Sequence, residues 1–389
     1  MRKCKLSECV KEINDRTTEN NQYEVLTSSK NGIFSQEEYF DKQVASKDNT
    51  GYKIIKNGQF TYRSMSDSGT FTINRLEDKE IGIVSPAYPV FEATNVDAEF
   101  LKYYFRSELF NKTIINLSQG STRTALKFKD LINIEIYLPE IEEQKRIVKI
   151  LKNNDQVIEK YDELIKEKEQ FIKSQFVEMF EQRLYKDVLL GEEFIINSGG
   201  TPDKRIKEYW EPREISWIGS NLCRDKVLYE NDGKYISTEG LKHSSAKIFK
   251  SDTVLVALVG ATIGKTALLK FETTTNQNIA GIECNDSFNS EYVFYAIQNL
   301  YNDFVKLNVG NFKMANLSFI RNLRIKKPPI ELQNKFANFV KLIDKQKFEL
   351  EKQKQNYIDL KKGLMQQLLT GKLKVSWIQH VIIYKRSVL

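Results

Sequence analysis

The chain contains two diverged copies of one unit, and this internal repeat constrains its fold more than any other feature. The segment Pro139-Glu-Ile-Glu-Glu-Gln aligns with Pro328-Pro-Ile-Glu-Leu-Gln at a shift of 189 residues. Upstream, Ala98-Glu-Phe lies over Ser290-Glu-Tyr at a shift of 192. A period this long is far beyond that of a solenoid repeat, so we expect each copy to be a domain with an additional element.

The repeat extends to the start of the chain and to the region just ahead of position 139. Lys5-Leu-Ser-Glu resembles Leu189-Leu-Gly-Glu at a shift of 184, and Gly120 lies over Gly310 at 190. The two copies therefore cover roughly residues 1–186 and 187–376.

The additional element is predicted to be a long helix in each copy. No glycine or proline occurs between Ile141 and Gln182, and apolar residues recur there at a spacing of seven. Such a spacing, sustained over several turns, is typical of a coiled coil. The apolar stripes are Leu151, Ile158, Ile165 and Ile172 in the first copy, and Phe336, Ile343, Leu350, Tyr357 and Leu364 in the second.

We predict that the two helices pair with each other in antiparallel orientation, as an internal two-fold requires. Prolines at 139 and 328 precede their starts, and Gly371 is a plausible C-cap of the second helix. The positions near Gln346 and Gln353 are polar. The alternative is that each helix packs only on the globule of its own copy.

The regions ahead of the helices are predicted to be α+β globules. Short β-rich runs, such as Ile81-Gly-Ile-Val and Asp252-Thr-Val-Leu-Val, alternate with clusters of Gly, Asn, Ser and Thr. One helix is predicted in each, near residues 98–109 and 290–300. The predicted organisation is a first globule (1–136), a central spacer helix (137–186), a second globule (187–325), a C-terminal spacer helix (326–376) and a tail of unknown role (377–389).

The net charge of +7 is unevenly distributed. The first globule carries 19 basic and 19 acidic residues, the second 16 and 17, and residues 326–389 carry 14 and 5. Two uniformly basic DNA-binding domains are therefore excluded, and phosphate contacts in the globules would have to come from local clustering. We expect the lysines of the C-terminal helix to contact a partner or distal phosphates.

The remaining composition excludes several classes of protein. Four scattered cysteines and two histidines make a zinc site very improbable, and the simplest interpretation is reduced thiols. Two histidines also leave little general-base capacity for a catalytic serine or cysteine. No apolar run approaches the ~20 residues of a membrane span. We expect a cytoplasmic protein that binds no membrane.

Two short motifs resemble catalytic sites but fit them poorly. Gly260-Ala-Thr-Ile-Gly264-Lys265-Thr266 has three residues between its glycines where a P-loop has four, and no long helix is predicted after it. We predict an exposed turn there instead, with Thr262 and Lys265 at its tip. Pro202-Asp203 with Asp232-Gly-Lys234 fits the PD…DxK pattern of metal-dependent nucleases, but the first copy has no equivalent. We predict no catalytic residue, no metal site and no cofactor in this chain.

Polar loops suited to DNA bases and phosphates remain. Arg and Lys can bind guanine, Asn and Gln can bind adenine, and small hydroxyls approach phosphates closely. The candidates in the first copy are Ser29, Lys30, Tyr62, Arg63, Ser85, Tyr88, Ser121, Arg123 and Lys127. Those in the second are Thr201, Ser220, Asn221, Thr238, Glu239, Thr262, Lys265, Asn276, Gln277, Asn278, Asn311 and Lys313.

These features together resemble the specificity subunits of Type I restriction-modification systems. The resemblance covers residues from about 5 to 376, and rests on the period, the two helix entries, the Gly260-Ala-Thr-Ile-Gly-Lys loop and the closing Leu368-Leu-Thr-Gly-Lys segment. The tail beyond Trp377 lies outside the usual pattern. The resemblance implies two target recognition domains, each reading one half of an asymmetric split site in double-stranded DNA, and two spacer helices that form an antiparallel coiled coil.

The resemblance also implies the partners of the chain. The methylation subunits, two of them, bind S-adenosylmethionine, and the restriction subunits use ATP and Mg²⁺, so this chain would be non-catalytic. Two alternatives stay open on the sequence alone. One is a DNA-processing enzyme that uses the PD…DxK residues, and the other is a coiled-coil adaptor that does not read bases.

Overall fold

The computed structural model describes residues 1–39, 47–66, 70–117, 124–306 and 314–375. These residues form two compact units. Unit 1 joins Met1–Asp162 to the chain from Lys352 onward, and unit 2 is Glu163–Glu351. Each unit therefore combines one globule with part of each long helix.

The elements of the first copy are short until the central helix begins. Its strands are β1 (Arg2–Lys5), β2 (Val10–Ile13), β3 (Leu26–Ser29), β4 (Gly32–Ser35), β5 (Lys53–Lys56), β6 (Phe60–Thr61), β7 (Met65–Ser66), β8 (Asn74–Arg75), β9 (Ile81–Val84), β10 (Val90–Ala93), β11 (Thr124–Ala125) and β12 (Glu135–Leu138). Its helices are α1 (Gln36–Tyr39), α2 (Ala98–Phe105), α3 (Glu108–Leu117), α4 (Phe128–Leu131) and α5 (Ile141–Phe176), which continues as a π-helix over Val177–Glu181.

The second copy has the same general texture. Its strands are β13 (Asp187–Leu189), β14 (Ile195–Ser198), β15 (Ile215–Ile218), β16 (Lys226–Leu228), β17 (Tyr235–Ile236), β18 (Ile248–Phe249), β19 (Val254–Ala257), β20 (Thr266–Leu269), β21 (Thr273–Thr275), β22 (Ile279–Glu283) and β23 (Arg324–Lys326). Its helices are α6 (Leu190–Glu193), α7 (Thr238–Lys242), α8 (Ser290–Asn299), α9 (Tyr301–Lys306), α10 (Leu317–Asn322) and α11 (Ile330–Leu369). Single 3-10 turns span Leu6–Glu8, Lys207–Tyr209, Ser220–Leu222 and Gly260–Thr262.

The first and last strands of each globule form an antiparallel pair that repeats in register. Cys4 of β1 lies opposite Ile136 of β12, and Val188 of β13 lies opposite Ile325 of β23. Position 4 maps to 188 at a shift of 184, and 136 maps to 325 at 189. These are the shifts of the sequence alignment, so the predicted repeat is confirmed at the level of paired residues.

The sheets share one strand pair and differ around it. Strands β2 and β10 pair antiparallel in a four-stranded sheet of order β2-β10-β6-β8, and β14 and β22 pair in the same way in a five-stranded sheet of order β14-β22-β19-β20-β16. The second globule adds a sheet of order β17-β15-β21-β18. In it, β15 and β21 run parallel. The α+β class predicted from sequence is confirmed.

A buried glutamine fastens each globule to the start of its own spacer helix. In unit 1, Gln144 Oε1 accepts a hydrogen bond of 2.8 Å from Asp97 N, and its Nε2 donates to Pro139 O at 2.8 Å. Asp97 is the N-cap of α2. Gln144 is 1% exposed, so the amide has no access to water and its two partners must satisfy it.

Unit 2 repeats these two hydrogen bonds, and Gln333 Nε2 also donates to Ser287 O at 3.2 Å. Gln333 Oε1 accepts from Asn289 N at 2.9 Å, and its Nε2 donates to Pro328 O at 2.8 Å. Asn289 is the N-cap of α8, and Gln333 is 0% exposed. We call each of these glutamines, together with the N-cap N–H and the proline carbonyl that it binds, a glutamine latch.

A carboxylate that is half-buried in the first copy and buried in the second lies next to each latch. Glu99 of α2 is paired with Arg75 from the sheet and, at 3.2 Å, with Lys152 of α5. Burial alone would raise the pKa of Glu99, but the hydrogen bond and charge of Lys152, with the charges of Lys102 and Arg75, lower it below the ordinary value.

Its counterpart at a shift of 192, Glu291 of α8, is 7% exposed and paired with Lys270 at 2.9 Å. Burial opposes ionisation here too, but the hydrogen bond and charge of Lys270 lower the pKa of Glu291, and Lys341 of α11 adds its charge. The two copies therefore keep one ionised carboxylate at the same place.

The two long helices pair antiparallel within each unit. In unit 1, Lys361 pairs with Asp155 and Lys354 with Asp162, so the partner position falls by seven as the position on α5 rises by seven. Tyr161 donates to Gln353 Oε1 at 2.8 Å. The predicted antiparallel coiled coil and the polar position at Gln353 are confirmed.

The same pairing continues in unit 2. Lys168 Nζ donates to Gln346 Oε1 at 2.8 Å, and the rings of Phe171 and Phe339 meet at 5.4 Å. Lys347 pairs with Glu169 at 3.2 Å. With Lys354 and Lys361, three lysines of α11 thus bind acids of α5, which corrects the expectation that these cations face a partner or DNA.

The heptad stripes serve two purposes rather than one. Leu151 lies in the core of unit 1, while Ile172, Phe336 and Ile343 lie in the core of unit 2, where they pack on the globules. The middle positions, Ile158, Ile165, Leu350 and Tyr357, are half-buried, while Leu364 packs against the core of unit 1. The predicted pairing is confirmed for the middles of the helices. The alternative, that each helix packs only on the globule of its own copy, is wrong, because α5 supplies Leu151 to the core of unit 1 and Ile172 to the core of unit 2.

We expect Phe336→Ala to destabilise unit 2 by about 3–5 kcal/mol, since it removes a large buried ring. Phe336 is fully buried and its ring contacts those of Phe176, Phe180 and Tyr295. Urea unfolding followed by tryptophan fluorescence measures this, because Trp210 and Trp217 lie in unit 2. Phe348→Ala on the same helix is the control, as Phe348 is 63% exposed; equal losses from both variants would contradict the packing described.

We expect Glu291→Gln to destabilise unit 2 by about 1–3 kcal/mol at pH 7 and by less near pH 3.5. The pKa of Glu291 is lowered in the folded chain, so its contribution is present above the unfolded pKa and is lost as the pH falls through the folded value. Urea midpoints at both pH values measure the effect. The exposed Glu272→Gln is the control. An equal deficit of the Glu291 variant at the two pH values would refute the assignment.

Candidate DNA interface

Two loops of the second globule leave its smaller sheet side by side. In the parallel pair of β15 and β21, Trp217 lies opposite Thr274 and Ile218 opposite Thr275. Parallel neighbours end at the same edge of a sheet, so the residues that follow them meet there. Asn276 N donates to Ile218 O at 3.1 Å, which holds residues 219–221 beside residues 276–278.

A third loop reaches the same edge through two glycines. Gly200 N donates to Thr275 O at 2.8 Å, and Trp217 Nε1 donates to Gly200 O at 3.0 Å. A Cβ on Gly199 would lie 2.1 Å from Thr275 Oγ1, so only glycine permits this approach. As a result Thr201 Oγ1 donates to Gln277 Oε1 at 2.6 Å.

The three loops bring together four of the predicted residues, which we call the amide cluster: Thr201, Asn221, Asn276 and Gln277. A Cβ on Gly219 would lie 2.6 Å from Asn221 Oδ1 and 3.8 Å from Asn276 Nδ2, which places both amides around this glycine. Asn221 and Gln277 are exposed, and Thr201 and Asn276 are half-buried.

The amide cluster presents hydrogen-bond donors. Asn276 Oδ1 accepts from Asn278 N at 3.1 Å, and Gln277 Oε1 accepts from Thr201. Within the part of the chain that the structure describes, neither Asn276 Nδ2 nor Gln277 Nε2 donates to a protein acceptor. The side-chain oxygens of Asn276 and Gln277 therefore each accept a hydrogen bond within the fold, while their amide nitrogens are available to a ligand.

An arginine that was not predicted lies beside this cluster. Arg224 Nε donates to Asn221 O at 2.9 Å, and its side chain is exposed. It sits just beyond the 3-10 turn Ser220–Leu222, whereas the sequence interpretation ended the loop at Asn221. The sequence Asn221-Leu-Cys-Arg224 contained the signal for this residue. A helical turn over Ser220–Leu222 brings Arg224 back to the side of the loop on which Asn221 lies.

The predicted tip of the 260–265 loop differs from the structure. Leu258 N donates to Asn278 O at 2.9 Å, so this loop starts beside the amide cluster. Thr262 is half-buried, but Lys265 turns back: its Nζ donates to Asp225 Oδ2 at 2.8 Å and lies 4.3 Å from the ring centroid of Tyr301. The prediction that Lys265 is an exposed cation at the tip was wrong.

Two other predicted residues of the second globule, Thr238 and Glu239, lie on α7. Thr238 N donates to Glu214 Oε2 at 2.6 Å at the start of α7, which Ser237 caps. Glu239 pairs with Lys242 and His243 on the same helix, and the hydrogen bond and charge of Lys242 lower its pKa. Ser220 is half-buried in its 3-10 turn.

The first globule places two exposed cations at one end of a strand pair. Strands β7 and β11 pair antiparallel, with Met65 opposite Ala125, and Leu126 N donates to Ser64 O at 3.0 Å. This register continues to Arg63 and Lys127, both exposed.

The structure corrects the prediction that Tyr62 contacts DNA. It is 0% exposed, burial raises the pKa of its hydroxyl above the ordinary value, and that hydroxyl donates to Leu126 O at 3.1 Å. Tyr62 is a core residue that anchors the strand end, and it cannot contact DNA in this fold.

Two further loops of the first globule are ordered by internal hydrogen bonds. Ser29 and Lys30 form the turn of the β3–β4 hairpin, and buried Asn74 donates to Ser28 Oγ and Ser29 O at 2.9 and 2.8 Å. Ser85 O accepts from Tyr88 N at 2.9 Å in a turn that leads into β10. Residues 276–278 lead into β22 in the same way, so the two copies present a polar turn at the same place.

Four predicted residues, Ser121, Arg123, Asn311 and Lys313, lie outside the described residues, as does the tail beyond 375. Met314, the first described residue after 313, forms a bridge with Val259, next to the 260–262 turn.

The motifs that resembled catalytic sites do not have the required surroundings. Lys265 is followed by strand β20, whereas a P-loop lysine opens a helix. Asp203 is paired with Arg205 at 2.6 Å, whose hydrogen bonds lower the pKa of the carboxyl to about 2, and Asp232 is paired with Lys234 at 2.6 Å. Among the described residues, no group of three or more His, Cys, Asp or Glu could hold a metal ion, and no helix is long and apolar enough to cross a membrane.

Comparisons with known proteins agree with this architecture. The family model described as "Type I restriction modification DNA specificity domain" matches residues 4–170 and 183–360. The Type I restriction enzyme MjaIX specificity subunit of Methanocaldococcus jannaschii is 23% identical over 313 residues, covering 72% of this chain and 70% of that protein. The putative MjaX specificity subunit of the same organism is 25% identical over 307 residues, covering 75% and 69%.

Among solved structures, a chain from a study of complex assembly and conformational transition of the type I R-M system has a similar fold. The TM-score is 0.59 at 18% sequence identity, and the match covers 96% of this chain and 98% of that one. At this identity the likeness concerns the fold alone.

Proposed function

This chain belongs to the Type I restriction modification DNA specificity domain family, and we propose its function from that premise. It is a specificity subunit with two target recognition domains. We propose that each globule reads one half of a split, asymmetric DNA target. The amide cluster with Arg224 is the observation that supports a direct readout of bases. It consists of polar groups from three loops that are held rigid by their own hydrogen bonds. The two globules differ in sequence and in sheet order, so their half-sites should differ.

The chemistry of the amide cluster suggests which base atoms it contacts. The amide nitrogens of Asn276 and Gln277 are available donors, and the major groove offers acceptors at N7 of both purines, O6 of guanine and O4 of thymine. The sequence suggested paired contacts of Asn and Gln with adenine, which need a donor and an acceptor together. The occupied oxygens of Asn276 and Gln277 favour single donor contacts instead. Arg224 fits a phosphate or a guanine edge.

In the first globule, Arg63 and Lys127 are the cations best placed for the same role. Both are exposed at one end of the β7–β11 pair. The turn at Ser85–Tyr88 occupies the place that residues 276–278 occupy in the second globule. We propose that these two features form the reading face of the first domain.

The chain itself is proposed to be non-catalytic. Its family implies DNA and the subunits of a restriction-modification complex as partners. We propose two methylation subunits, one for each copy of the repeat, which bring S-adenosylmethionine, and restriction subunits, which bring ATP and Mg²⁺. A cytoplasmic location follows from this role, because the DNA target lies there.

Replacing residues 1–136 with the corresponding domain of another specificity subunit should change one half-site and leave the other unchanged. Sequencing of methylated bases in cells that express the chain with its methylation subunits measures the motif. A replacement of residues 187–325 is the matched control and should change the other half. An unchanged motif after both replacements would show that this chain does not read DNA bases.

The double variant Asn276→Ala, Gln277→Ala should weaken binding to the cognate site by about 1–3 kcal/mol, that is roughly 5- to 150-fold, and relax base preference in one half-site only. Titration of the assembled methylation complex with labelled duplexes measures it. Gln355→Ala is the control, since Gln355 is an exposed amide whose partner, Asp359, is on the same helix. Equal losses on cognate and unrelated duplexes would indicate that the amides do not read bases.

A further inference from the structure

The glutamine latches lie at the end of a short, direct connection to the proposed reading turns. In the first copy the chain runs from the turn at Ser85–Tyr88 through β10 into α2, whose N-cap is held by Gln144. In the second copy it runs from residues 276–278 through β22 into α8, whose N-cap is held by Gln333. Any shift of α2 or α8 along its spacer helix therefore moves a reading turn.

A glutamine amide is suited to this position because it donates and accepts at once. Each latch satisfies a helix-cap N–H and a proline carbonyl, and both glutamines are essentially unexposed. A glutamate could accept but not donate, and a leucine could do neither. The latch thus ties the first residues of two helices together through one side chain.

A second interaction with the spacer helix fixes the orientation of a globule as well as its position along the helix. Lys152 of α5 pairs with Glu99 at 3.2 Å, eight residues beyond Gln144, and Lys341 of α11, eight residues beyond Gln333, acts on Glu291 through its charge without forming an ion pair. Eight residues of helix span about 12 Å. In the first copy, two contacts separated by this distance oppose sliding of the globule along the helix and tilting on it; in the second copy, the electrostatic attraction of Lys341 acts beside the latch.

We infer that Gln144 and Gln333 are positioning residues that set how strictly the complex measures the gap between half-sites, an inference that rests on the proposed function. One base pair corresponds to about 3.4 Å along the DNA axis. A globule that can shift by this amount on its spacer helix accepts a gap one base pair too long or too short. The latches prevent that shift without touching the DNA.

The test uses the complex of the full chain with its methylation subunits. Its substrates are duplexes that carry both cognate half-sites at the native gap or at a gap one base pair shorter or longer. The variants are Gln144→Leu, Gln333→Leu and their combination. We expect methylation at the native gap to persist, the preference for that gap to fall by about tenfold or more, and the bases of both half-sites to stay the same.

Controls separate this inference from folding defects and from the proposed function. Gln355→Leu replaces an exposed glutamine of α11 and should retain full gap preference. If a leucine variant does not assemble, Lys152→Met with Lys341→Met loosens the second attachment instead, as Lys152 is 52% exposed. An unchanged gap preference in assembled latch variants would overturn the inference, whereas absence of any base preference in the unmodified complex would overturn the proposed function.

Discussion

In each copy, the hydrogen bonds of one buried glutamine hold the globule and its spacer helix together. A globule built from short strands and a long helix have different packing surfaces, and they join where Gln144 and Gln333 each bind two backbone groups that would otherwise be buried without partners. An unsatisfied buried donor or acceptor costs about 1–3 kcal/mol, so losing the side chain would leave two such costs at one point. The sequences of the copies have diverged widely, yet this contact is retained with the same atoms and nearly the same distances.

The long helices meet two requirements that compete for the same residues. Their ends supply large apolar side chains to the globule cores, as Phe176 and Phe336 do in unit 2. Their middles pair with each other through half-buried apolar residues and ion pairs such as that of Lys361 with Asp155. Tyr103 of α2 also donates a hydrogen bond to Asp155, at 2.7 Å. A seven-residue pattern does not distinguish these uses, because both need an apolar stripe on one face. Only the positions of the globules show which part of the stripe packs on a globule and which part pairs with the other helix.

The predictable features were those that depend on local pattern or on self-comparison. The helix from Ile141, the start at Ile330, the C-cap at Gly371 and the register of the terminal strands all follow from spacing and repeat shifts. The amide cluster was predicted residue by residue but not as a cluster, because its loops join through parallel pairing of strands far apart in sequence. Lys265 and Tyr62 were misjudged for a related reason: Asp225 and Leu126, which bind them, are 40 and 64 residues away along the chain.

The charge distribution gives a final constraint on how such a chain recognises DNA. The excess of basic residues lies in the last part of the sequence, and three of its lysines bind acids of the central helix. The globules are close to neutral, so any phosphate contacts they make must come from local clusters of basic residues rather than from their net charge. Affinity for a target must then depend on direct contacts with good geometry, and such contacts need rigid loops at fixed places. In our proposal, the glycine contacts that order the amide cluster provide the rigidity and the latches provide the placement, so that neutral reading domains can still be selective.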